Sequence, residues 1–121
     1  MDIKLELIPV PVTDVDRAIE FYTKKVGFAL DHDHRVQEGL RFVQLTPPGS
    51  ACSIAIGEGL TEMTPGSMKG LQVVVDDTQK VHDMLIANGV EASDIQEFPW
   101  GIFTFFEDPD GNSWAVQQIV R

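Results

Sequence analysis

One cysteine, one tyrosine, three histidines and nine basic residues are spread over 121 positions, and each shortage closes off a class of protein. With Cys52 alone, no internal disulfide forms and no cysteine cluster can hold a metal within one chain. Cys52 lies between Ala51 and Ser53 at the head of an apolar strand, which reads as a buried, inert thiol. No uninterrupted apolar run reaches the roughly 18 residues that a membrane-crossing helix needs. Met1-Asp2-Ile3-Lys4 lacks the basic-then-apolar profile of a secretory signal, so a cytoplasmic location is expected. Nineteen acidic residues against nine basic ones leave a formal net charge of −10. That balance repels nucleic acid and anionic membranes and mildly favours cationic ligands. The chain also has no GxSxG nucleophile elbow, phosphate-binding glycine loop or dinucleotide fingerprint.

What it does have is an internal repeat. Val12-Thr13-Asp14-Val15, leading into an amphipathic stretch that ends at Gly27, returns as Val75-Asp76-Asp77-Thr78 with a stretch ending at Gly89. Thr46-Pro47-Pro48-Gly49-Ser50 returns 62 residues later as Asp108-Pro109-Asp110-Gly111-Asn112. A unit this small cannot bury its own apolar face, so the copies must pack on each other or on a partner chain. In the first copy, Leu5 to Val12 reads as a strand kept to an edge by Pro9 and Pro11. Thr13, with Asp16 in the box position, is expected to cap a helix carrying Ala18, Ile19, Tyr22 and Val26 on its apolar stripe. Strands follow at 28–31, 40–45 and 53–56.

The second copy repeats the order. A strand is expected at 71–75, then a helix capped by Asp76 with the stripe Val81, Met84, Leu85 and Asn88, then strands at 103–106 and 114–120. Residues 57–67 are rich in Gly, Thr and Pro without periodicity, so a single domain is expected, made of module 1–57 and module 68–121 joined by linker 58–67. Each module reads as βαβββ, which makes the class α+β.

The helix segment Asp16-Arg17-Ala18-Ile19-Glu20-Phe21-Tyr22, the following Val26-Gly27-Phe28 and the terminal Asp108-Pro109-Asp110-Gly111-Asn112-Ser113-Trp114 resemble the vicinal oxygen chelate superfamily over nearly the whole chain. That superfamily contains glyoxalase I, bleomycin and fosfomycin resistance proteins and extradiol dioxygenases. The resemblance implies two tandem modules forming a curved mixed sheet that encloses a ligand cleft. It also implies metal-ligand positions on the first and last strands of each module, which carry over to Leu7, Ser53, Gly70 and Ala115. None is His, Asp or Glu, and one-residue slips bring in Ile8, Ile54, Leu71 or Trp114, which are no better. No metal and no cofactor are therefore expected.

Strand alternation places Leu7 and Pro9 on the cleft face with Ser53, Gln72 and Gln117, while Ile8, Val10, Val73 and Val75 turn to the helices. The ligand-lining candidates are Gln72, Gln117, Trp100, Phe103, Leu7, Ser53, His32 and His34. Buried amides need partners, Trp100 is a candidate stacking wall at the mouth, and His32 and His34 share one face of an extended segment. No catalytic residue is identified. Tyr22 is expected in the core and His82 on the surface, while the parity of Arg41 is open.

By resemblance, the leading reading is a metal-independent small-molecule binding protein of the bleomycin-resistance type, one that sequesters an antibiotic as a homodimer and takes a cationic or aromatic ligand. The alternatives are a glyoxalase-like lyase or isomerase acting on a small carbonyl compound, with His32, His34, Glu38 or a carboxylate of the 57–67 segment as its base, and a structural role with a collapsed cleft.

Overall fold

The computed structural model describes residues 1–120. The first repeat runs β1 (Leu7–Pro9), α1 (Val15–Glu20) continuing into a π-helical turn (Phe21–Val26), β2 (Ala29–Gln37), β3 (Leu40–Thr46) and β4 (Ser53–Glu58). The second runs β5 (Leu71–Val74), α2 (Thr78–Ala87), β6 (Gln96–Phe98), β7 (Gly101–Glu107) and β8 (Ser113–Ile119). β1 is short and lies at a sheet edge, as Pro9 requires, and Pro11 falls beyond its end. The repeat calls for β6 but the sequence does not locate it, because Gln96-Glu97-Phe98 has neither length nor β-branched residues to announce a strand.

Both helix caps fall one residue later than expected. Asp14, not Thr13, accepts from the Arg17 backbone N–H, and Asp77, not Asp76, accepts from that of Lys80. At the first cap the reason is competition for Thr13, whose hydroxyl and backbone N–H both donate to the Asp110 carboxylate at 2.7 and 3.2 Å. Gly27 ends the first helix at φ +93°, with its N–H donating to the Tyr22 carbonyl.

The strands form two separate four-stranded sheets, ordered β1-β4-β3-β2 and β5-β8-β7-β6, each with one parallel pair (β1–β4, β5–β8). No strand of one pairs with a strand of the other among the described residues. This corrects the expectation of a single curved sheet around a cleft: the two sheets are neither closed nor strongly curled. The modules meet through their helix-facing sides instead. Val43, Leu45, Ile54 and Ile56 of the first sheet share one core with Leu71, Phe106, Trp114 and Val116 of the second and with Ala18, Phe21, Tyr22 and Leu85 of the helices. Apolar burial therefore holds the repeats back to back, and β1 and β5 keep free outer edges.

A buried polar joint crosses that core. The Tyr22 hydroxyl donates to Asp108 Oδ2 at 2.7 Å and accepts from Trp114 Nε1 at 3.0 Å. Asn112 Nδ2 donates to the same carboxylate oxygen and to the Pro11 carbonyl, both at 2.8 Å. Asp108 Oδ1 takes the backbone N–H groups of Asp110 and Asn112. The Asp-Pro-Asp-Gly turn of the second repeat is thus tied to the first helix and to the chain after β1, and every buried side-chain polar atom among the described residues has a partner.

The structure fixes the parity of Arg41, open in the sequence, and places His82 less at the surface than expected. Arg41 does not face the open side of its sheet. It bonds Asp33 through Nε and Nη2 at 2.9 Å and Asp16 of α1 at 3.0 Å, and its hydrogen bonds hold the Asp33 carboxyl below its usual range. His82 is only partly exposed, with Nδ1 3.0 Å from Asp83.

Candidate functional site: two open sheet faces

With Leu71, Phe106, Trp114 and Val116 committed to the core, the register of the second sheet turns Gln72, Phe103, Phe105, Ala115 and Gln117 to its other side. There Gln72 Nε2 donates to Gln117 Oε1 at 2.5 Å, and Gln117 Nε2 donates to the Trp100 carbonyl at 3.0 Å. Gly101 makes that contact sterically possible, since a Cβ there would stand 2.9 Å from Gln117 Nε2 and 2.8 Å from the Gln118 carbonyl. The two amides act as one strut, with their outer lone pairs and N–H groups open to a guest.

Beside them runs an aromatic row. Trp100 stacks on Phe98 with ring centroids 5.2 Å apart and planes within 7°. Phe98 meets Phe103 edge-on at 5.6 Å, and Phe103 stacks on Phe105 at 5.7 Å and 8°. Phe103 is buried beneath its neighbours, but Trp100, Phe98 and Phe105 remain 60, 38 and 36% exposed. Large aromatic rings left in solvent on one face mark a binding surface more than they serve folding.

The first sheet presents a polar counterpart. Leu7 lies opposite Ser53 in the parallel β1–β4 register. The Ser53 and Thr46 hydroxyl oxygens are 2.6 Å apart, Gln44 Nε2 donates to Ser53 Oγ at 3.3 Å, and Thr46 donates to Asp31 Oδ2. His32 and His34 are exposed on the same face, stacked with centroids 5.7 Å apart. Asp31 is the residue skipped in the β2–β3 ladder, which pairs Leu30 with Leu45 and then His32 with Gln44. This bulge lets Asp31 and His32, consecutive in sequence, both leave the core side. Gln44, Thr46 and Asp31 are absent from the sequence-derived list, because nothing in the string Ala29-Leu30-Asp31-His32 announces an extra residue.

The structure does not gather all the candidates in one cavity of one chain. Leu7, Ser53, His32 and His34 belong to the first face; Gln72, Gln117, Trp100 and Phe103 belong to the second. A pocket of about 260 Å³ lies between the Pro47–Ser50 turn and Gln72–Val74, and of the candidates Gln72 alone lines it. A larger groove of about 850 Å³ opens at the far end of the second sheet, lined by Gly70, Ala115, Phe105 and Trp114 with Lys25 and Glu107. Neither amide of the strut lines it.

The register also moves one metal-equivalent position. Gln72, not Gly70, stands opposite Ala115, as Leu7 stands opposite Ser53, a two-residue slip that keeps the face. Leu7, Ser53, Gln72 and Ala115 still offer no imidazole or carboxylate, and the Ser53 hydroxyl is engaged by Thr46 and Gln44, so this quartet does not fit a divalent metal. Among the described residues no group of three or more His, Cys, Asp and Glu side chains converges as a metal site, and no helix is long and apolar enough to cross a membrane.

Two repeats of this topology, with open faces carrying the former ligand positions, define a class that the comparisons identify. The family model described as Glyoxalase/Bleomycin resistance protein/Dioxygenase superfamily matches residues 4–116, and the chain belongs to that superfamily. It is similar to TnmS3, an antibiotic binding protein from Streptomyces sp. CB03234, at 34% identity and TM-score 0.90 over 99% of each chain. A glyoxalase/bleomycin resistance protein from the same strain shares 34% identity at TM-score 0.86, covering 95% of this chain and all of that one. YetH of Bacillus subtilis (strain 168) is 27% identical over 113 residues, 92% of this chain and 94% of its own length.

Proposed function

We propose that this protein is a metal-independent binder of small organic molecules that sequesters an antibiotic-like compound in the cytoplasm, working as a homodimer. The observation that carries the reading is the aromatic row with its amide strut: stacked rings in solvent give area for a flat guest, and two linked amides give it direction. The likeness to an antibiotic binding protein over 99% of each chain supports the same reading.

Bleomycin is a suitable probe, being cationic and carrying a flat heteroaromatic unit. Titration is expected to quench tryptophan fluorescence, and Trp100→Ala to weaken binding about 5- to 150-fold, the equivalent of about 1–3 kcal/mol. Because the Trp100 ring is mostly in solvent, the melting temperature is expected to hold within a degree or two. Absence of binding tighter than about 100 µM would set this ligand class aside.

What one chain leaves bare supports the dimer. Ile3 and Leu5, on the extended segment before β1, are 89 and 68% exposed, Val74 on the β5 edge is nearly as open, and both edges are unpaired. A second copy pairing at these edges would satisfy the backbone groups that each edge leaves open. Light scattering at micromolar concentration is expected to give twice the chain mass of 13.4 kDa. A monomer there would rule the assembly out.

A further inference from the structure

The open faces carry a charge pattern that the overall acidity does not explain. Their strand positions hold two charged side chains, Asp31 on the first sheet and Glu107 on the second, and both are anionic. The strand arginines have been drawn to the other side of the first sheet, where Arg41 clamps Asp33 and Asp16 and Arg35 pairs with Glu58 at 2.9 Å. Asp14 and Asp77 cap helices, and Asp108 and Asp110 are spent on the buried joint and on Thr13. Asp31 differs from all of these. Its one protein contact is the Thr46 hydroxyl, through Oδ2, and Oδ1 has no partner among the described residues.

That carboxylate is also held in place. Because Thr46 donates to Asp31, its oxygen is left to accept from Ser53, whose own oxygen takes the Gln44 amide. The relay Gln44 to Ser53 to Thr46 to Asp31 points every donor toward the carboxylate, and Ser53 is itself buried. The bulge at Asp31 is what brings the side chain to this face together with His32. An oriented carboxylate with a free oxygen, on a face without lysine or arginine, is built to receive a cation.

We propose that Asp31 is the specificity-determining anchor of the binding site, pairing with a protonated amine or amidinium of the guest through Oδ1 while Thr46 and Ser53 fix its direction. The proposal rests on the small-molecule reading above and narrows it to cationic ligands.

The experiment compares 9-aminoacridine, a flat cation at neutral pH, with acridine, its flat uncharged counterpart, by fluorescence and calorimetric titration of the whole protein. The wild type is expected to bind the cation about 5- to 30-fold more tightly, as a charge-assisted hydrogen bond predicts. Asp31→Asn, which keeps an acceptor for Thr46 and removes only the charge, is expected to erase that preference and leave acridine binding unchanged. Glu107→Gln and the remote Asp94→Asn are expected to keep it. Equal binding of both dyes by the wild type, or a cation preference that survives Asp31→Asn, would overturn the anchor and leave the small-molecule reading intact. If neither dye binds and tryptophan fluorescence does not respond, both readings fall. Asp31 is exposed, so melting curves of Asp31→Asn and wild type should coincide, which separates lost charge from lost fold.

Discussion

Asp108→Ala is expected to lower the free energy of unfolding by about 3–5 kcal/mol, read as a shift of the urea midpoint at unchanged slope. The carboxylate gathers four donors in the core: the Tyr22 hydroxyl, Asn112 Nδ2 and two backbone N–H groups. Removing it strands them where water does not reach, and the cost of an unmet buried donor exceeds what the bond contributed. Tyr22→Phe should cost less, about 1–2 kcal/mol, because it leaves Trp114 Nε1 without an acceptor but keeps Asp108 bonded to Asn112. The same joint gives an alkaline signature. Burial, reinforced by the Asp108 charge, raises the Tyr22 pKa far above that of a free phenol. A raised pKa stabilises the fold below the unfolded value of about 10 and loses that contribution as pH climbs toward the folded value. Stability should therefore fall by up to about 1.4 kcal/mol per pH unit above pH 10, and Tyr22→Phe should remove this component of the slope. Tyr22 is the single tyrosine of the chain, so tyrosinate absorbance should emerge together with unfolding. Ionisation in the native protein at pH 10 would contradict the burial argument.

The second large effect is expected at Gly57. A Cβ there would stand 1.9 Å from the Arg41 carbonyl oxygen and 2.9 Å from Leu60 Cδ1. Leu60 can rotate away; the carbonyl belongs to the β3 backbone and cannot, so β4 must shift away from β3 beside the Phe42–Gly57 pair. Gly57→Ala is expected to cost about 3 kcal/mol, at the upper end of overpacking penalties, although alanine has the better strand propensity. Thermal melting checks it. A midpoint within a degree of wild type would mean that the two strands are not held as closely as described.

The elements that composition could reach were those with local chemistry. Gly27 adopts the left-handed conformation its helix end required, and Ala18, Tyr22 and Leu85 lie buried on the stripes that periodicity assigned them. At the positions carried over by resemblance, the register exchanges Gly70 for Gln72, and neither residue brings an imidazole or a carboxylate. What the sequence hid was relational. Thr13 has every property of a cap until Asp110, 97 residues away, claims it. The bulge at Asp31 depends on how β2 lies against β3, and no single residue encodes it. Whether two four-stranded sheets join edge to edge or pack back to back depends on where the larger apolar area lies once both repeats are folded, and alternation within one strand does not report that. The open faces, and with them Thr46, Gln44 and the aromatic row as a set, follow from that global choice.

Back-to-back packing has a consequence for how this scaffold can diversify. One side of each sheet carries the cohesion of the fold, and the other carries none of the shared core. Substitutions at Gln72, His32, His34, Phe98 or Trp100, on the proposed binding faces, are expected to leave the interior packing unchanged. New specificities can therefore accumulate one residue at a time without first acquiring a stabilising change elsewhere. A library randomised at these positions should yield mostly folded proteins with different guests, whereas equal randomisation of Val43, Leu45, Trp114 and Val116 should yield mostly unfolded ones.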